Sequence, residues 1–275
     1  MKFKERLLKA SRANRSLVCI GLDFEMGSIP QHVRDSDFPI LTFNEAIIEA
    51  TKDLVCAYKP NIAFYEKHGE RGWTMLRKTI EMIPEEIPVI LDCKRGDIGS
   101  TAKAYAEAYF DDLGTDAVTV NPYMGFDSLE PFLNYEDRGI FVLCRSTNAG
   151  AADFQDLIVN GMPLYEAVAR KALTWNQHEN VGLIAPSTMP RALQAIRRAA
   201  GSNVPLLIPG IGTQGGTVQD AIRFGANLRG EMAILSASRS VLYASNGTDF
   251  AQAARKVAQK LREDVNDARN VSVAP

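Results

Sequence analysis

The chain has 275 residues, of which 46% are hydrophobic and 23% are charged, so it has enough apolar residues for a sizeable core and the ordinary composition of a soluble protein. Its formal net charge is −2 and its isoelectric point lies near 6.0. Because it has no basic excess to pair with phosphates, this composition argues against a nucleic-acid partner and favours a small-molecule substrate.

The sequence predicts neither a targeting segment nor a membrane-spanning segment. The N-terminal MKFKERLLKASRANRS lacks an apolar signal region, and no later run approaches the about 18 residues needed to cross a bilayer. The cysteines lie far apart without a CxxC pair, which indicates reduced core residues: Cys19, Cys56, Cys93 and Cys144. The scattered histidines do not predict a metal site. We expect a cytoplasmic protein with no membrane partner.

Eight short apolar runs, rich in β-branched residues, alternate with segments of helical periodicity. Runs of this length and nearly continuous hydrophobicity are typical of parallel strands covered on both faces. In chain order they are SLVCIGLD from Ser16, CAYKPNIAFYE from Cys56, PVILDCK from Pro88, AVTVNP from Ala117, GIFVLCRS from Gly139, VGLIAPS from Val181, PLLIPG from Pro205 and EMAILSASRS from Glu231.

The intervening segments predict helices, and glycines such as Gly114 and Gly225 mark their ends. The predicted helices cover 43–54, 101–113, 164–174, 191–199 and 218–224. Eight strands alternating with helices predict an α/β fold, a single-domain (β/α)8 TIM barrel spanning 1–275, rather than an open doubly wound sheet. We place the barrel core at about 16–262 and a C-terminal tail at 263–275. Two connections, 24–41 and 148–180, are long for such a barrel.

The third run ends in four charges within six positions. Because alternate side chains of a strand share a face, Ile90, Asp92 and Lys94 point one way and Arg95 points the other. If Ile90 faces the barrel axis, Asp92 and Lys94 lie side by side at the C-terminal mouth, where such barrels do their chemistry. Asp97 follows where the chain turns toward the next helix.

An ion pair at a strand end is the simpler interpretation of these charges, since surface pairs are common and contribute little. Similar polar endings recur elsewhere, however: Asp23 ends the first run and Lys59 lies in the second. The recurrence at several strand ends favours a functional cluster.

The segment PGIGTQGG, 209–216, predicts an anion site between the seventh run and the following helix. Its glycines, Gly212 and Gly215 among them, let backbone amides approach an anion, and the helix N-terminus adds a positive dipole. Gln214 and Arg239 supply side-chain donors. A tight turn and a surface charge would explain each signal alone. Together, after strands seven and eight, they favour a phosphorylated substrate.

From about Leu17 to Tyr243, these motifs resemble the orotidine 5′-phosphate decarboxylase family, in the expected order. YKPNIAFYE, VNPYMG and ADFQDL further resemble its longer-looped, type 2 subgroup. The residues that carry the resemblance are the D-x-K-x-x-D set Asp92, Lys94 and Asp97 with Ile98 and Thr101, the LD at Asp23, Lys59 in YKPN, the loop PGIGTQGG and the SRS at Arg239.

The resemblance implies a homodimeric barrel with shared active sites. It implies conversion of orotidine 5′-monophosphate to UMP and CO₂ in de novo pyrimidine biosynthesis, with no metal and no organic cofactor. Lys94 would protonate C6, and Asp92 would lie near the substrate carboxylate. Asp97, with Ile98 and Thr101, would reach into the neighbouring subunit's site.

The same resemblance implies the substrate-binding residues. Asp23 and Lys59 would hold the ribose hydroxyls, and Gln214 and Arg239 the phosphate. Thr147 would contact the pyrimidine, with the adjacent serine, residue 146, as the alternative. Many members have glycine before the arginine, where this chain has Ser238, and we expect the additional Cβ to affect the phosphate contact.

Two other functions compete with this interpretation. A magnesium-dependent aldolase or decarboxylase of sugar phosphates shares D-x-K-x-x-D but carries a carboxylate near the end of the second strand, where this chain has Lys59, which disfavours Mg²⁺. A non-catalytic nucleotide-binding barrel would keep the glycine loop and Arg239 but would not need Lys94 between two carboxylates.

Overall fold

The computed structural model describes residues 1–212 and 215–272, and eight parallel strands form a barrel within them. Seven neighbouring strand pairs form ladders, and the bridges Tyr58↔Val89 and Asn61↔Asp92 close the ring between the second and third strands. The predicted (β/α)8 barrel is therefore confirmed. Its strands are β1 (Val18–Gly21), β2 (Ala57–Lys59), β3 (Ile90–Arg95), β4 (Ala117–Val120), β5 (Gly139–Leu143), β6 (Val181–Ile184), β7 (Leu206–Pro209) and β8 (Ala233–Ala237).

Helices surround the barrel. The helix predicted at 164–174 begins and ends at these residues in the structure. The others begin or end within a few residues of prediction, except that a π-helical turn, Ala108–Asp112, replaces the last turn predicted at 101–113. The helices are α1 (Phe3–Ala13), α2 (Gln31–Arg34), α3 (Pro39–Thr51), α4 (Ala63–Glu66), α5 (Gly69–Glu81), α6 (Gly99–Glu107), α7 (Glu130–Leu133), α8 (Leu164–Thr174), α9 (Pro190–Ala200), α10 (Val218–Gly225), α11 (Arg239–Leu242) and α12 (Phe250–Ser272).

Helix α1 closes the N-terminal end of the barrel. The predicted barrel core began near residue 16 and therefore did not include this helix. Phe3 and Leu7 belong to the same buried cluster as the inward-facing strand residues, such as Ile90. The Phe3 ring packs edge-on against Phe141 with centroids 5.6 Å apart. Gly139 makes room for it, because a Cβ there would lie 2.5 Å from Phe3 Cδ1.

The predicted C-terminal tail at 263–275 is wrong through residue 272, because α12 continues to that point. Apolar residues keep the helical spacing beyond residue 262, and Val265 and Ala268 are buried against the barrel layer. Asn266 donates a hydrogen bond to the carbonyl of Arg15 at 2.9 Å, which ties this part of the helix to the loop before β1.

The two long connections contain structure of their own. The stretch after β1 holds a 3₁₀ turn, Met26–Ser28, and α2, whereas the stretch after β5 holds a short hairpin, Ile158–Val159 with Met162–Pro163, before α8. The cysteines are buried and free, as predicted for reduced core residues. No helix within 1–212 and 215–272 combines the length and the apolar character needed to cross a membrane.

Candidate active site

A cavity of about 340 Å³ opens at the C-terminal end of the barrel, within the size range of small-molecule sites. Its deeper wall is apolar, formed by Leu143, Ile184 and Leu207. Seven of the polar and charged side chains that line it are Asp23, Lys59, Asp92, Lys94, Ser146, Thr147 and Arg239. Side chains from five different strand ends therefore meet in one place.

At the base of the cavity, Asp92 lies between two lysines. Lys59 Nζ donates to Asp92 Oδ2 at 2.9 Å, and Lys94 Nζ donates to Asp92 Oδ1 at 2.6 Å. The side chains of Asp92 and Lys59 are only 11% and 8% exposed, whereas that of Lys94 is 43% exposed. The prediction that Asp92 and Lys94 lie side by side on the inner face is confirmed. Of the two lysines, Lys94 has its ammonium accessible from the cavity.

Burial and charge act in opposite directions on this cluster. Burial disfavours the charged form of Asp92, but the neighbouring ammonium groups of Lys59 and Lys94 hold its carboxyl pKa well below the usual range. Burial likewise opposes the charge on Lys59, yet Asp23 and Asp92 raise its pKa above the ordinary lysine value. Asp92 and Lys59 are therefore both charged near neutral pH, so fixed charges already line the cavity before substrate binds.

The backbone that carries Lys94 is irregular. The register between β3 and β4 shifts between Leu91 and Arg95, and Lys94 has a φ of 44°. A left-handed conformation at a non-glycine residue costs on the order of 1 kcal/mol and is found where surrounding contacts impose it. Because bulges re-aim side chains next to active sites, this one directs Lys94 into the cavity.

Sequence reasoning missed Thr119 of β4, which is fully buried beside the cluster. Its hydroxyl donates to Asp92 Oδ1 at 2.9 Å. The available signal was the alternation of β4: Ala117 lies in the inward-facing cluster, and two residues later Thr119 shares its face. Threonine is so common in strands that its presence alone does not single out a site.

Asp23, at the end of β1, is held by both of its carboxylate oxygens. Oδ2 accepts a hydrogen bond from the hydroxyl of Ser238 at 2.8 Å, and Oδ1 accepts one from the N–H of Asn61 at 3.1 Å. The Ser238 side chain thus turns toward Asp23, and the expected effect of its Cβ on the phosphate contact stays a prediction. Gly21 permits this approach, because a Cβ there would lie 2.7 Å from Ser238 Oγ.

The predicted phosphate loop follows β7 at the cavity rim. Gly210 and Ile211 line the cavity together with Arg239. Gly212 and Gly215 follow them, with φ values of 85° and 89° that favour glycine, and the N–H of Gly215 donates to the Gly212 carbonyl at 3.0 Å. The predicted donor Gln214 lies outside the described residues.

Asp97, Ile98 and Thr101 do not line the cavity of their own chain, unlike the predicted residues Asp23, Lys59, Asp92, Lys94, Thr147 and Arg239. Asp97 Oδ1 accepts the N–H of Ile98 at 2.7 Å, and the Ile98 side chain is 60% exposed. Thr101 is exposed in the first turn of α6. The neighbouring connection after β4 also presents a large apolar side chain, Tyr123, which is 86% exposed.

Arg95 points outward as predicted, but it is half-buried rather than a free surface charge. It donates to the Tyr109 hydroxyl at 3.0 Å, pairs with Glu66 and lies over the Tyr105 ring, 5.3 Å from its centroid. Arg95 therefore links α4 to the α6 region directly behind the strand that carries Lys94.

A polar cavity at the C-terminal mouth of a (β/α)8 barrel, with a paired lysine at its base and an arginine at its rim, defines a barrel enzyme for a small anionic molecule. The family described as orotidine 5′-phosphate decarboxylase / HUMPS matches residues 16–257, and the chain belongs to this family.

Named relatives share much of the sequence. Orotidine 5′-phosphate decarboxylase of Herpetosiphon aurantiacus is 51% identical over 259 residues, covering 94% of this chain and 95% of the relative. The enzyme of the same name from Cellvibrio japonicus is 50% identical over 275 residues, covering 98% and 100%.

Solved structures agree with the fold. The Leishmania donovani OMP decarboxylase has a TM-score of 0.84 at 37% identity, with 98% of this chain and 99% of that chain covered. The UMP synthase of the same organism has a TM-score of 0.88 at 38% identity, but the match covers only 57% of that longer chain against 98% of this one.

Proposed function

We propose that this chain carries out the decarboxylation of orotidine 5′-monophosphate to UMP and CO₂, a step of pyrimidine biosynthesis, with Lys94 as the acid. The observation that carries the proposal is the accessible Lys94 ammonium, paired with a buried Asp92 at the base of the cavity. This arrangement offers a positive charge and a transferable proton at one point, and Asp92 receives two charge-assisted hydrogen bonds that hold it in place.

The chemistry explains the need for a placed ammonium. When the bond between C6 and the carboxylate breaks, CO₂ leaves and the electron pair stays on C6 in an sp² orbital that the ring π-system cannot delocalise. Stabilisation must then come largely from fixed charge, and Lys94 Nζ supplies it. The same group donates its proton to C6, which forms the new C–H bond and gives UMP.

Asp92 acts chiefly through Lys94. A bare carboxylate near the substrate carboxylate would repel it by up to about 4 kcal/mol at about 4 Å and an effective dielectric constant near 20. Here Asp92 accepts hydrogen bonds from the ammonium groups of Lys59 and Lys94, and their positive charges offset much of its negative charge. Orienting Lys94 is therefore the role that its contacts support best.

The remaining cavity residues fit the rest of the nucleotide. Asp23 and Lys59 would bind the ribose hydroxyls, and Arg239 would bind the phosphate with the loop that holds Gly212, Gln214 and Gly215. Thr147 would contact the pyrimidine. We favour Thr147 over its neighbour because the Ser146 hydroxyl already donates to Asn148 Oδ1 at 2.6 Å, and its N–H donates to Gln155 Oε1 at 2.8 Å.

The proposal includes a homodimer with shared sites. Asp97, Ile98 and Thr101 lie outside their own cavity, and apolar side chains that a partner would cover surround this end of the barrel, such as Tyr123 at 86% and Met124 at 48% exposure. A partner barrel placed there would receive Asp97 near its Lys94. A cytoplasmic location is supported by the buried free thiols.

The magnesium-dependent alternative is disfavoured at β2. The Lys59 ammonium forms a salt bridge with Asp92. A positive charge therefore lies where the magnesium-dependent enzymes need a carboxylate to bind the metal.

The test is to incubate the protein with orotidine 5′-monophosphate and excess EDTA while pyrimidine ultraviolet absorbance is followed. We expect turnover. Turnover only after Mg²⁺ is added would overturn the metal-free proposal, and UMP binding without any turnover would identify a nucleotide-binding barrel instead. Lys94→Ala, purified in the same way, is the matched control for contaminating activity.

A further inference from the structure

The hydroxyl of Thr119 has all of its hydrogen-bonding capacity engaged at the catalytic cluster. Oγ1 donates to Asp92 Oδ1 at 2.9 Å and accepts the backbone N–H groups of Cys93 at 3.0 Å and Lys94 at 2.9 Å. A hydroxyl has one donor and two acceptor sites, so this residue makes every bond that it can. Its side chain is fully buried, and no solvent competes for these bonds.

These bonds fall where the ladder between β3 and β4 is interrupted. Leu91 pairs with Val118 and Arg95 pairs with Val120, so four steps of β3 span two steps of β4. The extra residues of a bulge lose their ladder partners. Thr119 replaces those partners with a side-chain oxygen and thereby fixes the backbone at Lys94, where φ is 44°.

Thr119 also acts on the other end of the Lys94 side chain. Asp92 Oδ1 accepts hydrogen bonds from both the Thr119 hydroxyl and Lys94 Nζ. One side chain therefore holds the lysine at its backbone N–H and, through Asp92, at its ammonium group.

We propose that Thr119 is a positioning residue for proton transfer, which sets the direction of Lys94 from both ends. The inference rests on the proposed function, because it concerns the lysine that protonates C6. Misplacing a reacting group by about 1 Å can cost on the order of 100-fold in rate. Loss of the Thr119 hydroxyl is therefore expected to lower kcat rather than substrate affinity.

The alternative is that Thr119 only satisfies buried polar groups and contributes stability. Thr115, two residues before β4, is an equally buried threonine whose hydroxyl donates to the Tyr109 carbonyl at 2.9 Å, away from the cavity. Replacing either threonine by valine keeps the shape and removes a hydroxyl. Thr115→Val is thus a matched control for stability alone.

The experiment measures kcat and KM for orotidine 5′-monophosphate, UMP affinity by calorimetry and the melting temperature, all assays being run well below melting. For Thr119→Val we expect kcat to fall roughly 100-fold, with KM and UMP affinity within about threefold of wild type. Thr119→Ser, which retains the hydroxyl, should recover most of kcat. Thr115→Val should lower the melting temperature and leave kcat unchanged.

The kinetic results decide whether Thr119 positions Lys94. A kcat for Thr119→Val within about threefold of wild type, or a Thr119→Ser variant as slow as Thr119→Val, would overturn the positioning role. If Thr115→Val lowers kcat as strongly, the effect comes from general destabilisation and the inference is wrong. A wild-type protein without turnover would instead reject the proposed function, and this inference with it.

Discussion

Ser238 at the end of β8 donates a hydrogen bond to Asp23 at the end of β1, with Ser238 Oγ and Asp23 Oδ2 separated by 2.8 Å. The other oxygen of Asp23 accepts the N–H of Asn61. The Asp23 carboxylate, proposed to bind the ribose, therefore has a fixed direction before substrate binds. Ser238, which replaces a glycine found in many family members, helps to orient this carboxylate.

Ser238→Ala removes this donor and loosens Asp23, which keeps the hydrogen bond from the N–H of Asn61. A hydrogen bond to a charged group contributes about 1.5–3 kcal/mol, and part of that would be recovered by water, so we expect KM for orotidine 5′-monophosphate to rise by roughly tenfold and kcat to change by less than about twofold. Steady-state kinetics measure both. Ser245→Ala, which removes a surface hydroxyl bonded to Asp249, is the control. A selective fall in kcat for Ser238→Ala would contradict this role.

Lys94 and Arg239 should separate catalysis from binding. Lys94→Ala removes the proton donor and is expected to lower kcat by at least about 1,000-fold, in the range of general acid catalysis. Arg239→Ala removes charge-assisted hydrogen bonds to phosphate and should weaken affinity for the nucleotide by roughly 10- to 100-fold while leaving weak binding of the free nucleoside unchanged. Calorimetry with UMP and uridine measures the difference. Equal, mild losses from both variants would reject these roles.

The pH dependence of stability should report the Asp92 cluster. Its carboxyl pKa is lower in the folded chain than in the unfolded one, so its contribution to stability is present above the unfolded pKa and is lost as pH falls toward the folded value. The free energy of unfolding of wild type minus that of Asp92→Asn should therefore increase between about pH 2 and pH 5 and level off above. Lys59 stays protonated throughout this range, so it does not contribute to the slope.

Urea unfolding at several pH values measures this difference. Parallel pH curves for wild type and Asp92→Asn would show that the carboxyl pKa is not lowered on folding.

The shared-site dimer predicts complementation between two inactive proteins. Lys94→Ala and Asp97→Ala each disable both sites of their own homodimer. In a mixed dimer, one site combines an intact Lys94 from one chain with an intact Asp97 from the other, so random mixing should restore about a quarter of wild-type activity. The measurement compares the activity of the mixture with the activities of the two separate proteins. A mixture as inactive as its components, in dimers shown to exchange subunits, would exclude the shared site.

Strand periodicity was sufficient to predict the barrel and the inner face of Asp92 and Lys94, because an alternation of two is a local property of the chain. It did not predict the bulge in β3 that sets the direction of the Lys94 side chain. It was insufficient for contacts that depend on a neighbouring strand. Thr119 becomes part of the site through a bulge in β3, and Ser238 turns toward Asp23 because β8 lies beside β1 and residue 21 is a glycine. Such contacts follow from the closed barrel and leave no pattern within a single strand.

The same limit applies to α1, whose charged and apolar residues alternate as on any surface helix. Only the closed barrel shows that Phe3 fills its N-terminal end against Phe141, with 3% of its surface exposed. Phe3→Ala should therefore lower the free energy of unfolding by about 3–5 kcal/mol, the range for large-to-small changes of buried aromatic residues.

Because this end of the barrel lies opposite the cavity, kcat of folded Phe3→Ala should equal that of wild type. Phe154→Ala, at a phenylalanine that is 64% exposed, is the matched control and should change stability by less than about 0.5 kcal/mol. Urea unfolding gives the stabilities, and the kinetics are measured well below the melting temperature. Equal destabilisation by the two variants would mean that α1 does not close the barrel. A fall in kcat for the folded Phe3→Ala protein would mean that the two ends of the barrel are coupled.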